Sequence, residues 1–413
     1  MKKLSLFAAI LLPVCASADF TELSSNKIKK LQNDETYTYV RCWYRPHDNH
    51  DQAATDWEWA LNDDGSYYKL DGYWYSSTSW KNMFYTEVSN NTIEERCEKT
   101  LDTDFKAADI TFFAADTRFS YNHTIWSNDK SNNNDDLSTI NKIVSFGDSI
   151  SDTGNVYNGS QWLFPNDNSW FLGHFSNGFV WTEYLAEHQD IPVYTWAIGG
   201  AEGEDKYVVL TGIGGQIDSY LEYMQLSKHY DPKDTLVTFE FGLNDFVNDD
   251  RSVDEVSDDF SDALKRLAEN GIENMVVLNL PDATSAPQFK YNTDGTTEDI
   301  REKIIAFNAF IETEVALYQA QGLNFVLYDT SALFDNIIES PENYGLRNTS
   351  DSCLDINRSS SIDYLQTHAL RSDCATYGSD SYLFWGVTHP TTKTHNIIAD
   401  EIIETTFDQF NFL

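Results

Sequence analysis

Apolar positions are spaced in two different ways along this chain, and the change falls near residue 140. Beyond it, residues 142–146, 193–197, 235–241, 274–280 and 324–329 are short and rich in apolar side chains, as strands buried on both faces are. Between and after them, residues 178–188, 215–226, 253–268, 297–321 and 391–407 have the spacing of helices. Strands alternating with helices predict a three-layer α/β fold with a central parallel sheet. Ligand sites in such folds lie beyond the carboxyl ends of the strands.

Before residue 122 the texture differs. Residues 19–121 are crowded with aromatics, among them Tyr37, Tyr39, Trp43, Trp57, Trp59, Tyr73, Tyr75 and Trp80. The run from Thr36 to Trp43 alternates as a strand does, and Asn62-Asp63-Asp64-Gly65 reads as a turn between strands. A small, mostly β domain follows from this. Its aromatics fill a core, or they form a surface for sugars or lipid headgroups. Residues 122–139 include a polar stretch without apolar period and are expected to be a linker to a domain spanning 140–413.

Residues 1–18 combine two lysines, an apolar run and Ala16-Ser17-Ala18, the features of a signal peptide. No later run has the length of a transmembrane segment, so a secreted protein is expected. A chain of 413 residues fits two domains. Its formal charge of −38 excludes a nucleic-acid partner and opposes adsorption to anionic lipid. Four cysteines remain after residue 18, and four permit three pairings. Proximity favours Cys42–Cys97 and Cys353–Cys374, and no Cys-x-x-Cys spacing supports a metal site.

The first apolar run of the second half ends at Gly147, and Ser149 follows on the turn beside Asp148. A serine there is placed as an exposed nucleophile, although a turn or helix cap reads the same way. Ser149 N–H, the Gly200 N–H after the second strand and the Asn244 amide after the third can converge on one oxygen as an oxyanion hole. His389 lies before Pro390 and the last helix, and a serine nucleophile needs such a base within reach. His395 is read as a surface residue.

Gly147-Asp148-Ser149-Ile150, Gly199-Gly200, Gly242-Leu243-Asn244-Asp245 and Gly386-Val387-Thr388-His389, in this order, resemble the four sequence blocks of the SGNH, or GDSL-type, serine esterase and lipase family. The resemblance covers residues 140–413. Taken with the aromatic N-terminal region, the chain looks most like the secreted lecithin-dependent haemolysin branch, whose members are phospholipases. The resemblance implies Ser149 as nucleophile, His389 as general base and then acid, and Ser149 N–H, Gly200 and Asn244 as oxyanion donors. Gly199 is the alternative to Gly200. It also implies a phospholipid substrate and no required cofactor.

One position departs from the family. Gly386 stands where an aspartate would orient the histidine. A backbone carbonyl, another acid or a small anion can replace it, and chloride in the vacated space is the expectation. On that reading Gly386→Asp retains activity. Acyl transfer to a sterol and short-chain ester hydrolysis are the enzymatic alternatives. A membrane- or glycan-binding lytic protein with a vestigial hydrolase domain is the alternative of another class.

Overall fold

The computed structural model describes residues 36–413 except 48, 77–81, 102–107, 116–117, 119–120, 130–138, 206–210, 292–295 and 359–360. The expected signal peptide (1–18), Trp80 and residues 130–138 of the expected linker lie outside the described residues.

The N-terminal part holds, in chain order, β1 (Thr36–Arg45), β2 (Asp56–Trp59), β3 (Lys69–Ser76), β4 (Asn82–Thr86), α1 (Asn90–Leu101), β5 (Ala108–Ala115) and β6 (Thr124–Ser127). β1 is central: β2 and β3 pair with successive parts of it and β5 pairs with it as well, all antiparallel. β3 continues to β4, and β4 to β6. The two-residue period of β1 separates two environments. Val40, Cys42 and Tyr44 pack with Ile93, Cys97 and Leu101 of α1. The Cys42–Cys97 disulfide ties that layer, with Cα atoms 5.4 Å apart. On the alternate positions, Arg41 lies 4.5 Å over Trp57, and Arg45 bonds Asp109 at 2.6 Å and the Asn177 carbonyl at 2.7 Å.

β6 lies in the segment expected to be a linker. It is only four residues long, but Ile125 and Trp126 are buried and Trp126 stacks on Tyr194 at 4.1 Å. Ring burial holds these residues to the sheet although no apolar period announces them.

The second sheet is parallel and contains β7 (Lys142–Phe146), β8 (Val193–Thr195), β9 (Thr235–Phe239), β10 (Asn274–Leu278) and β11 (Asn324–Tyr328). Its order is β8-β7-β9-β10-β11. The winding direction therefore reverses at β7, and a crevice is expected between the ends of β7 and β9. Helices α2 (Trp181–Gln189), α3 (Ile213–Met224), α4 (Val253–Glu269), α5 (Thr297–Ala320), α6 (Thr330–Glu339) and α7 (Thr392–Thr406) cover it. Val144 and Phe146 point into one core with α3, α4 and α5; Ile143 points into the other with α2, α6 and α7. β8 stops at Thr195, short of the expected residue 197, because Trp196 turns into the core against Tyr220. A small ladder, β12 (Asn348–Ser352) with β13 (Tyr382–Phe384), precedes α7. The Cys353–Cys374 disulfide closes the excursion between those strands.

The two parts share a core. Tyr73, Tyr75, Met83, Tyr85 and Trp126 belong to the same buried cluster as Val144, Trp196, Tyr220 and Tyr223. Tyr73 and Tyr85 donate their hydroxyls to the Leu226 and Tyr223 carbonyls, each at 2.8 Å. Much of the N-terminal aromatic content is thus spent joining the two sheets. Among the described residues no helix is long and apolar enough to cross a membrane.

Candidate active site

The turn after β7 is held from beneath. A Cβ at Gly147 would collide with the Glu240 carboxylate, so only glycine lets the strand turn there. Glu240 Oε1 accepts from the Asp148 N–H at 2.9 Å and from the Ser151 hydroxyl at 2.8 Å. Gln216 completes the clamp, accepting the Gly147 N–H at 3.1 Å and donating to the Gly147 carbonyl at 2.8 Å. Burial pushes Asp148 up to about 7 and raises Glu240 well above the carboxylate range, with the neighbouring Asp148 charge adding to the latter. Glu240 therefore favours its protonated form beneath the turn.

Ser149, on top of this turn, lies 2.7 Å by its Oγ from His389 Nε2. The structure brings together two residues 240 positions apart in sequence. The His389 ring packs beside Phe175 at 5.1 Å and Trp170 at 6.1 Å between centroids. Burial in this aromatic box pushes His389 down to about 3.

Two hydroxyls meet the other ring nitrogen. Tyr364 Oη and Thr388 Oγ1 each lie 3.0 Å from His389 Nδ1, and 3.0 Å from one another. When Nε2 accepts from Ser149, Nδ1 carries a proton and donates to this pair. The space beside Gly386 is not vacant: a Cβ there would lie 2.6 Å from Trp170 Cη2. An aspartate in the family position would press on the indole, which counts against the expectation that Gly386→Asp retains activity. Trp170 Nε1 is buried with no hydrogen-bond partner among the described residues.

The oxyanion candidates divide. Gly199 N–H donates to Asp152 at 2.8 Å and is engaged, so of the two glycines Gly200 is the candidate for a backbone donor. Gly200 is exposed, has φ +82°, and has open space where a Cβ would point. Asn244 stands beside the serine turn, but its amide donates to Asp148 at 3.0 Å and to the Ala201 carbonyl at 3.1 Å. It reaches a developing oxyanion only by releasing one of them. His395, expected at the surface, is buried in α7 and pushed down to about 3, with burial the main cause. Its helical position places it on the face that packs against the sheet. Both cysteine pairs form as sequence proximity suggests. Among the described residues no cluster of His, Cys, Asp and Glu could hold a metal ion.

Tyr364, Glu240 and Trp170 carry no mark in the sequence. Thr388 had one, its place directly before His389.

Residues 143–402 match the family described as GDSL-like lipase/acylhydrolase, and the chain belongs to that family. It is a serine ester hydrolase. Residues 12–128 match the N-terminal domain of the Vibrio dual lipase/transferase. The thermolabile hemolysin of Vibrio parahaemolyticus is 56% identical over 98% of this chain and 97% of its own length. The phosphatidylcholine-sterol acyltransferase of Aeromonas hydrophila is 25% identical over 68% of this chain and 94% of its own. A putative GDSL-like lipase of Parabacteroides merdae is similar in structure, with 14% identity, a TM-score of 0.38, and coverage of 66% and 97% of the two chains.

Proposed function

We propose that the chain is a secreted phospholipase that cleaves acyl esters of phospholipids through an acyl-enzyme on Ser149, haemolysis being a consequence of lipid breakdown. The observation that carries the mechanism is the 2.7 Å contact from Ser149 Oγ to His389 Nε2. His389 takes the hydroxyl proton as Oγ attacks the ester carbonyl carbon. The resulting oxyanion sits against the Ser149 and Gly200 N–H groups, with Asn244 joining when it leaves the Ala201 carbonyl. The imidazolium then gives its proton to the departing lysophospholipid alcohol. Water repeats the sequence on the acyl-serine. Throughout, Tyr364 and Thr388 fix the ring through Nδ1. Ser149→Ala is expected to abolish fatty-acid release from phosphatidylcholine; release at the native rate overturns the mechanism. Haemolysis retained by that variant supports the alternative lytic function without catalysis.

Two further readings have particular support. The similarity to an acyltransferase favours transfer to sterol as a second activity, which cholesteryl ester formation in mixed micelles tests. For the base, chloride remains the proposed anion. The anion would stand beside Nδ1, where the Tyr364 and Thr388 hydroxyls can turn to donate to it, and not in the space next to Gly386 that Trp170 fills. Exchange of chloride for gluconate at constant ionic strength lowers turnover if chloride participates, and leaves it unchanged if the hydroxyls suffice.

A further inference from the structure

Exposed apolar side chains gather at the mouth of the ester site. Tyr364 faces His389 from the single-turn helix Ser361–Leu365. Its neighbours Ile362 and Leu365 are 39% and 37% exposed. The facing loop carries Leu163, which is 62% exposed. These two segments are joined: the Asn166 N–H donates to the Tyr364 carbonyl at 2.7 Å, and the Phe164 and Tyr364 rings are 5.5 Å apart. Large apolar residues exposed on two joined segments are a signal of interaction.

The patch continues on the N-terminal sheet. Trp162, next to Leu163, contacts Trp43 at 5.8 Å; Trp43 contacts Trp57 at 6.3 Å, and Trp57 contacts Trp59 at 5.1 Å. Tyr39 then links Trp59 to Tyr37 and Tyr67, at 5.8, 5.6 and 6.0 Å. Tyr37 and Tyr67 are exposed, and Trp57, Trp59, Tyr39 and Trp162 are half-buried. These rings thus link the edge of the β domain to the loop beside the catalytic site, with Trp43 buried beneath the surface between Trp57 and Trp162. Tyrosine and tryptophan rings, apolar in body and polar at the tip, suit the headgroup level of a bilayer.

Charge selects the kind of lipid. A chain of formal charge −38 is repelled by anionic membranes. Within the stripe Lys69 lies 4.2 Å over Tyr37, and Arg358 neutralises the buried Asp363 of the Tyr364 helix at 2.7 Å, so that helix presents no net acidic charge from Asp363.

We propose that this stripe, from Tyr37 and Tyr67 through Trp162 to Leu163, Ile362 and Leu365, docks the protein on a zwitterionic phospholipid surface and presents the ester site to it. The proposal deepens the phospholipase reading and rests on it, because the stripe ends where the scissile ester would enter. It also gives the excursion closed by Cys353–Cys374 two tasks, contact with lipid and contact with His389.

The test uses the full chain carrying Ser149→Ala, so that binding is read without hydrolysis. Sedimentation with phosphatidylcholine vesicles is expected to show binding, and phosphatidylglycerol vesicles are expected to bind at least about tenfold more weakly. Adding Leu163→Ser, Ile362→Ser and Leu365→Ser is expected to weaken phosphatidylcholine binding by about tenfold or more, with an unchanged melting temperature. Native tryptophan fluorescence is expected to be quenched by bromine-labelled phosphatidylcholine, a readout that needs no variant. Unchanged affinity in the triple variant, or absent quenching, overturns the docking surface. So does preferential binding of the stripe to oligosaccharide, abolished by Tyr37→Ser and Tyr67→Ser with vesicle binding intact. Fatty-acid release by the native chain from detergent-dispersed phospholipid is measured alongside. Its absence would refute the phospholipase reading itself, whatever the vesicles show.

Discussion

At Gly386 the space that an aspartate side chain would need is already filled. Trp170 occupies the space, and two hydroxyls take over the contact with His389 Nδ1. Neutral hydrogen bonds contribute about 1 kcal/mol each, so either hydroxyl alone is worth about fivefold in rate. Tyr364→Phe combined with Thr388→Val should lower kcat on a soluble ester by roughly 30-fold with little change in KM. Separate kcat and KM values check this, and an unchanged kcat would show that the ring is oriented by something else. The acid limb of kcat/KM follows from the same environment. His389 works as a base only when neutral, and it is neutral above its pKa. Burial pushes that pKa down to about 3, so activity should persist well below the ordinary histidine value of about 6.5. Thr388→Asp puts an anion beside Nδ1, raises the pKa, and should move the limb back toward higher pH. Gly386→Asp, in contrast, meets the indole and should lose activity. Pairing Ser149 with His389 was legible because both lie in short blocks whose residue types suit the chemistry. Tyr364 was not, since it arrives from a disulfide-closed loop and nothing local marks a hydroxyl that will face an imidazole.

Among the elements, the excursion between β12 and β13 does most to complete the site. The Cys353–Cys374 bridge spans 21 residues, and a loop of that size corresponds to about 3 kcal/mol of denatured-state restriction. Cys353→Ser with Cys374→Ser should lower thermal stability and reduce kcat, because Tyr364 loses its tether while Ser149 and its clamp stay in place. Calorimetry and soluble-ester kinetics on the same sample check both effects; a stable but fully active variant would separate the excursion from catalysis. The parallel strands were legible because burial on both faces leaves nearly unbroken apolar runs. β6 was not, because four residues are too few to show a period and its one large ring, Trp126, is held by partners distant in sequence. The early end of β8 has the same origin: Trp196 follows the core rather than the ladder.

At the scale of the whole molecule, the two large sheets share one buried cluster rich in aromatic rings. Such sharing predicts a single cooperative unfolding transition rather than two. Trp126→Ala should cost about 3–5 kcal/mol, as other large core truncations do, and should lower that transition without splitting it. Two separate transitions in the native chain would show that the sheets fold apart. The charge of −38 adds repulsion everywhere except where a cation or a ring intervenes, which is where contact with lipid is expected. Composition disclosed that charge at once, but not which aromatics would be buried between the sheets and which left on the surface. The central claim is that a fatty acyl chain passes through Ser149. Mass spectrometry of the chain quenched in acid during turnover of phosphatidylcholine tests it most directly. The peptide containing Ser149 should carry the mass of one acyl group, and the adduct should be absent in Ser149→Ala. Continued fatty-acid release with no acyl group ever found on Ser149, or with the group on another residue, would contradict it.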